Sequence, residues 1–244
     1  MSTLSKISAL DVSHLTVMYR NTVALSDVSV TIERGSMVGI IGPNGAGKTT
    51  FVKSVLNLIP RSSGVVTFFN KPFQDARKQI AYVAQRSSID WDFPMTVFDM
   101  VLMGCYGRLG WFKRPTTADR HQVYEILEKV GLQLFCDTPI GALSGGQQQR
   151  VFLARALMQK ADLFFLDEPF AAVDIATEKI LIQLFKELCA QGRTIIAVHH
   201  DTITAATYFD SIMLLNKTCI AYGKTDSILR PVLLQKTYEK SVLQ

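Results

Sequence analysis

Gly42-Pro43-Asn44-Gly45-Ala46-Gly47-Lys48-Thr49 fits the pattern G-x-x-x-x-G-K-[ST], and it follows an apolar run, Met37-Val38-Gly39-Ile40-Ile41, that reads as a strand buried on both faces. After it, Phe51, Val52, Val55, Leu56 and Ile59 mark one face of a helix that the spacing carries to Pro60. A glycine-rich loop between such a strand and helix lets backbone N–H groups turn inward and surround phosphates, where the helix dipole favours negative charge. The lysine then reaches the outer phosphates of a nucleotide, and the hydroxyl after it binds Mg²⁺. A chance glycine-rich turn would not carry strand, lysine and threonine in register. The loop predicts Gly42, Pro43, Asn44, Gly45, Ala46, Gly47, Lys48, Thr49 and Thr50 as nucleotide-binding residues, with Thr49 also facing the metal.

Working outward, Leu10, Val12, Leu15 and Val17, then Val28, Val30 and Ile32, alternate with polar neighbours and read as antiparallel strands with one wet face. Downstream, Val123, Ile126, Leu127 and Val130 lie on one face of a helix that Gly131 stops. The stretch from about Ser87 to Gly141, with Trp91, Phe93, Tyr106, Trp111 and Phe112, predicts a helical insert that continues into a helix from Gly145. A buried strand at Leu163 to Leu166, a helix with Leu181, Leu184, Phe185 and Leu188 on one face, and a strand at Thr194 to Val198 close the predicted core. Buried strands alternating with helices mean an α/β fold with a mainly parallel sheet and helices on both sides.

Two further motifs carry chemistry. Leu163-Phe164-Phe165-Leu166 is followed by Asp167-Glu168-Pro169, which sets two acids at the carboxyl end of a buried strand, where open α/β sheets bind ligands. Adjacent acids after a strand also serve as helix caps. Beside a phosphate loop, however, Asp167 reads as a Mg²⁺ ligand and Glu168 as the base or polariser of the attacking water. Leu143-Ser144-Gly145-Gly146-Gln147 is a polar turn opening a helix, hence a second anion site or an ordinary N-cap at Ser144. One nucleotide does not need two such sites in one protomer.

The order phosphate loop, Leu-Ser-Gly-Gly-Gln, Leu-Asp-Glu-Pro resembles the ABC ATPases over essentially the whole chain. The resemblance implies a single nucleotide-binding domain spanning 1–244: a P-loop core with an N-terminal antiparallel β part and a helical subdomain inserted at about 87–160. It implies ATP and Mg²⁺ as cofactors and a head-to-tail homodimer. Each ATP would lie between one copy's phosphate loop and the other's Ser144, Gly145, Gly146 and Gln147. By local match, Tyr19 is similar to the aromatic that stacks on adenine, and Gln85 to the glutamine that links Mg²⁺ and water to the helical part. Asp174 is similar to the aspartate loop at the dimer interface, and His200, with His199 beside it, to the histidine that senses the γ-phosphate.

Within that family, Gln85 to Pro94, Tyr106 to Pro115, His199-His200-Asp201 and Tyr208-Phe209-Asp210 resemble the ATPases of manganese, zinc and iron importers, with Ala84 standing where these often have proline. The resemblance implies an integral membrane permease as partner and, through it, an extracytoplasmic metal-binding protein. The aromatic and basic residues of the insert suit a groove for a short helix of that permease, with Trp91 or Phe93 expected in the core. The rival readings are a soluble ABC ATPase working with a cytosolic scaffold in cofactor assembly, and an importer of a non-metal substrate.

The bulk composition agrees. Of 244 residues, 48% are hydrophobic and 19% charged, as in a packed globular protein. No apolar run approaches the roughly 20 residues of a membrane span, and Met1 to Lys6 lack the apolar core of a signal peptide. The chain is thus expected on the cytoplasmic face of the membrane, as a peripheral subunit. Four scattered cysteines read as free thiols in a reducing compartment. The formal charge of +5 is spread without a basic run, so nucleic acid is not an expected partner.

Overall fold

The computed structural model describes residues 8–85, 94–109, 113–171 and 173–239. The chain opens with a long hairpin, β1 (Ser8–Tyr19) and β2 (Thr22–Glu33), followed by β3 (Met37–Ile41), α1 (Lys48–Val55), β4 (Ser63–Phe68), α2 (Phe73–Ala76) and β5 (Ile80–Val83). Helices α3 (Val97–Leu102), α4 (Tyr106–Leu109), α5 (Thr117–Lys129) and α6 (Gly145–Met158) come next. Then β6 (Leu163–Asp167), α7 (Ile175–Ala190), β7 (Thr194–Val198), α8 (Thr202–Tyr208), β8 (Ser211–Asn216), β9 (Thr218–Lys224), α9 (Thr225–Ile228) and α10 (Pro231–Tyr238) complete the described chain.

The strands form an antiparallel three-stranded sheet, β2-β1-β4, and a six-stranded sheet, β5-β6-β7-β3-β8-β9, in which only β9 runs antiparallel. Alternate side chains of each central strand enter two different cores. Phe164, Leu166, Ile195 and Ala197 pack with α3, α5, α6 and α7 on one face. Leu163, Phe165, Ile196 and Val198 pack on the other, with α1 and the three-stranded sheet. Burial on both faces is why these strands read as unbroken apolar runs. In β1 the inward set steps from Val12 to Leu15. His14 sits there at φ 54 and the pairing with β2 shifts register, so a bulge keeps both residues inside.

Two expectations from the sequence need correction. The helix after the phosphate loop ends at Val55, not at Pro60. Asn57 takes φ 55 and Leu58 N–H donates to the Lys53 carbonyl at 2.9 Å, an early left-handed cap that the apolar spacing through Ile59 conceals. The core set also does not close at β7: β8 pairs with β3 on its other side and β9 extends the sheet. The apolar run Ile212-Met213-Leu214-Leu215 carries the signal of a buried strand. The helix ending before Gly131 and the N-cap at Ser144 are as expected.

The helices between β5 and β6 close on one another through small residues. Gly104, just after α3, lies against α6 so tightly that an added Cβ would overlap the Arg155 carbonyl oxygen. Gly104→Ala must push backbone aside, an overpacking cost of about 1–3 kcal/mol. Its melting temperature should fall by about 2–4 °C per kcal/mol, measured by circular dichroism; an unchanged melt would contradict this packing.

Candidate functional site

The phosphate loop leaves the end of β3 and enters α1 at Lys48. It is braced from behind by the turn after β8, where Lys217 N–H donates to the Ala46 carbonyl at 2.9 Å and the Lys217 carbonyl accepts from Ser26 N–H at 2.8 Å. Gly42 is required here, since a Cβ would overlap the Leu215 carbonyl oxygen. Lys48, 8% exposed, folds over the loop and donates from Nζ to the Gly42 carbonyl at 2.7 Å and the Pro43 carbonyl at 2.9 Å. Burial lowers its pKa, and the charges of Glu168 and Asp167 oppose that. A cavity of about 360 Å³ opens in front, lined by Ala24, the loop residues Asn44 to Thr50, and Glu168. Ala24 was not among the expected residues; it enters because the hairpin's second strand packs on the loop.

Asp167 ends β6 and is 1% exposed. Its Oδ1 accepts from Thr49 Oγ1 at 3.3 Å, while Oδ2 is buried with no hydrogen-bond partner. Burial pushes its pKa up, the Thr49 hydrogen bond opposes this, and the Glu168 charge adds to it. A buried carboxylate with a free oxygen beside a threonine hydroxyl is the hard-oxygen donor set that Mg²⁺ takes, and the buried charge it leaves uncompensated is what a divalent cation would balance. The residues present fit that ion.

Glu168 has φ 53, a left-handed conformation that costs of order 1–2 kcal/mol for a residue with a Cβ. The turn swings its half-buried carboxylate to the cavity wall, where Gln85 Nε2 donates to Oε2 at 2.9 Å. This contact spans 83 residues of sequence. It follows from the parallel register, because Val83 faces Leu166 and the two residues beyond each are Gln85 and Glu168.

The two histidines after β7 separate cleanly. His199 is 4% exposed, its Nε2 lies 2.8 Å from Thr204 Oγ1, and its ring packs against Phe170, Tyr208 and Phe209. His200 is exposed. His199 is thus held inside the fold and His200 is the one open to a ligand. Asp201 caps α8, accepting from Ile203 and Thr204 N–H.

The remaining expected residues stand apart from the cavity. Tyr19 ends β1, 49% exposed, and does not line it. Ser144 and Gln147 form a capping box at the exposed start of α6, Gln147 Oε1 accepting from Ser144 N–H at 2.8 Å, and none of Ser144, Gly145, Gly146 or Gln147 reaches the phosphate loop's cavity. Asp174 caps α7 from an exposed position, accepting from Thr177 N–H at 2.9 Å. Trp91, Phe93, Trp111 and Phe112 lie outside the described residues.

Residues 25–171 match the family model described as ABC transporter. The chain is 51% identical over 230 residues to the zinc transport system ATP-binding protein TroB of Treponema pallidum (strain Nichols), covering 94% of this chain and 86% of that one. It is 50% identical over 228 residues to the manganese transport system ATP-binding protein MntB of Bacillus subtilis (strain 168), covering 93% and 91%. Among solved structures, the ADP conformation of an ATP-binding cassette of an ABC transporter superposes with a TM-score of 0.78 at 25% identity, covering 94% and 98%. The structure of cbiO1 from Clostridium perfringens, part of the ABC transporter complex cbiONQ, gives 0.77 at 27%, covering 94% and 93%.

Burial depresses the pKa of His199 from 6.5 to about 4, with the His200 charge adding to the effect. The unfolded chain therefore takes up this proton below pH 6.5 while the folded chain refuses it until about pH 4. Stability from this group is present above pH 6.5 and is lost as pH falls through that window. Between pH 7 and pH 5 the loss should be on the order of 1–2 kcal/mol, and His199→Gln should remove that part of the slope. Urea denaturation at both pH values checks it; equal slopes for the two proteins would contradict a buried neutral His199.

Proposed function

Since this chain belongs to the ABC transporter family, we propose that it is the ATP-hydrolysing subunit of a membrane importer for divalent metal ions, with manganese, zinc and iron as the candidate cargo. The observation that carries the enzymatic part is the Glu168 carboxylate, held by Gln85 at 2.9 Å on the wall of the phosphate-loop cavity. Identities of 51% and 50% to ATP-binding proteins of zinc and manganese transport systems support the cargo class. Among the described residues no helix is long and apolar enough to cross a membrane. On this reading the subunit works with an integral permease, at the membrane's cytoplasmic face, with an extracytoplasmic metal-binding protein delivering the cargo. The whole chain, 1–244, acts as one nucleotide-binding domain with about 87–160 as its helical subdomain.

The residues divide the work. Backbone N–H groups of the loop from Gly42 to Thr50 bind the phosphates, and Lys48 exchanges its loop carbonyls for outer-phosphate oxygens. Thr49 and Asp167 would hold Mg²⁺, with Gln85 as a further candidate ligand, and the ion would supply neutralisation of phosphate charge. Glu168 orients a water and accepts its proton as the water oxygen bonds to the γ-phosphorus. The bond from that phosphorus to the bridging oxygen breaks, and ADP leaves with the electron pair. His200 donates to the γ-phosphate, and Tyr19 stacks on adenine from the hairpin.

Ser144, Gly145, Gly146 and Gln147 close over the nucleotide of a second copy, so the working unit is a head-to-tail homodimer with Asp174 at the interface. Their absence from the lining of their own chain's cavity supports this arrangement.

Glu168→Gln should keep nucleotide affinity while turnover drops about 100-fold or more, the weight of a general base. In cells carrying the whole transporter, Lys48→Ala should abolish uptake of at least one of labelled manganese, zinc or iron. Undiminished uptake of all three would sink the metal-import reading, and normal turnover by Glu168→Gln would sink the assignment of the base.

A further inference from the structure

Strands β5 and β6 are parallel neighbours with Tyr82 opposite Phe165. Tyr82 and Phe165 face the α1 side of the sheet, whereas Val83 and Leu166 face the helical side. The two-residue period of a strand puts Asp167 on the α1 side too, one step beyond Phe165, and its contact with Thr49 of α1 agrees. Tyr82 and Asp167 thus share one face of adjacent strands at the carboxyl end of the sheet.

Each carries a buried oxygen with no hydrogen-bond partner: Tyr82 Oη and Asp167 Oδ2. A buried polar atom left unpaired is costly and demands an explanation. Here the two are complementary, one a donor and the other an acceptor. A phenolic hydroxyl keeps its proton at neutral pH and can donate. An unpaired donor and an unpaired acceptor on one face of adjacent strands are the kind of partners that a buried water satisfies.

We propose that Tyr82 is a positioning residue for the Asp167 carboxylate, its hydroxyl donating through a bridging water to Oδ2 and fixing the orientation in which Asp167 and Thr49 hold a divalent cation. The inference rests on the reading of Asp167 as a cation ligand. Groups that orient a metal ligand from behind affect metal affinity strongly, and removing one weakens binding about 10-fold or more. If the hydroxyl were merely trapped, removing it would be neutral or stabilising and would leave metal affinity alone.

The experiment uses Tyr82→Phe in the full chain, which deletes one oxygen and keeps the ring. Mn²⁺, a paramagnetic stand-in for Mg²⁺, is titrated against the protein with saturating ADP and followed by electron paramagnetic resonance. ADP affinity in EDTA and the metal-free melting temperature are measured alongside, with Asp167→Asn in parallel. The proposal predicts Mn²⁺ affinity about 10-fold weaker for Tyr82→Phe, unchanged ADP affinity in EDTA, and a cooperative melt that shows the fold is kept. Wild-type Mn²⁺ affinity in Tyr82→Phe, with affinity lost in Asp167→Asn, overturns the role of Tyr82 and leaves the cation site standing. Wild-type affinity in both overturns the cation site and the role of Tyr82 together. Equal weakening of Mn²⁺ binding and of metal-free ADP binding also overturns the proposal, since the hydroxyl would then serve the fold generally.

Discussion

Burying an ionised carboxylate costs several kcal/mol unless charge and hydrogen bonds compensate it, and Asp167 is 1% exposed with one oxygen unpartnered. The compensation that the chain itself offers is partial: one long hydrogen bond from Thr49 and the charges of Lys48 and Lys53. The position is imposed by the sheet. β6 lies between β5 and β7 with apolar side chains on both faces, so its last residue emerges beside the start of α1 with little access to water. A site organised in this way gains by taking up a cation together with a polyphosphate, because each supplies what the other leaves unbalanced.

The neighbouring features follow from the same geometry. Directly after Asp167 the backbone turns through a left-handed residue, and that turn aims Glu168 at the cavity instead of continuing into the core. Because β5 runs parallel to β6 in fixed register, Gln85 arrives opposite Glu168 and holds it. Gln85 lies two residues beyond the end of β5, so the carboxylate is held by the chain just after that strand. The phosphate loop in turn is pinned from behind by the β8 turn, with no room for a side chain at Gly42.

The parts of this arrangement that were legible in the sequence are those whose chemistry is contiguous. The phosphate loop carries its glycines, lysine and threonine in one run, and Asp167-Glu168 follows a strand that reads as buried because it is buried on both faces. Long-range facts were not legible on local grounds. The Gln85–Glu168 contact depends on strand register, and Gln85 was singled out only by resemblance. His199 and His200 are indistinguishable in sequence, and they separate in space because Thr204, Phe170, Tyr208 and Phe209 enclose the first. The early end of α1 was concealed by apolar residues that continue the helical spacing past the Asn57 cap. β8 was missed although its apolar run matched the rule that found β6, and with it the brace behind the phosphate loop.

The central claim is that this chain hydrolyses ATP at a site half supplied by a second copy, with the loop and Asp167 on one side and Ser144 to Gln147 on the other. Steady-state ATPase of mixed dimers tests it most directly. A Lys48→Ala chain paired with a Ser144→Arg chain puts both defects in one nucleotide site and leaves the other intact. The account predicts that the mixture recovers hydrolysis that neither variant shows alone. Normal hydrolysis by a chain that stays monomeric in Mg-ATP at every concentration would contradict it.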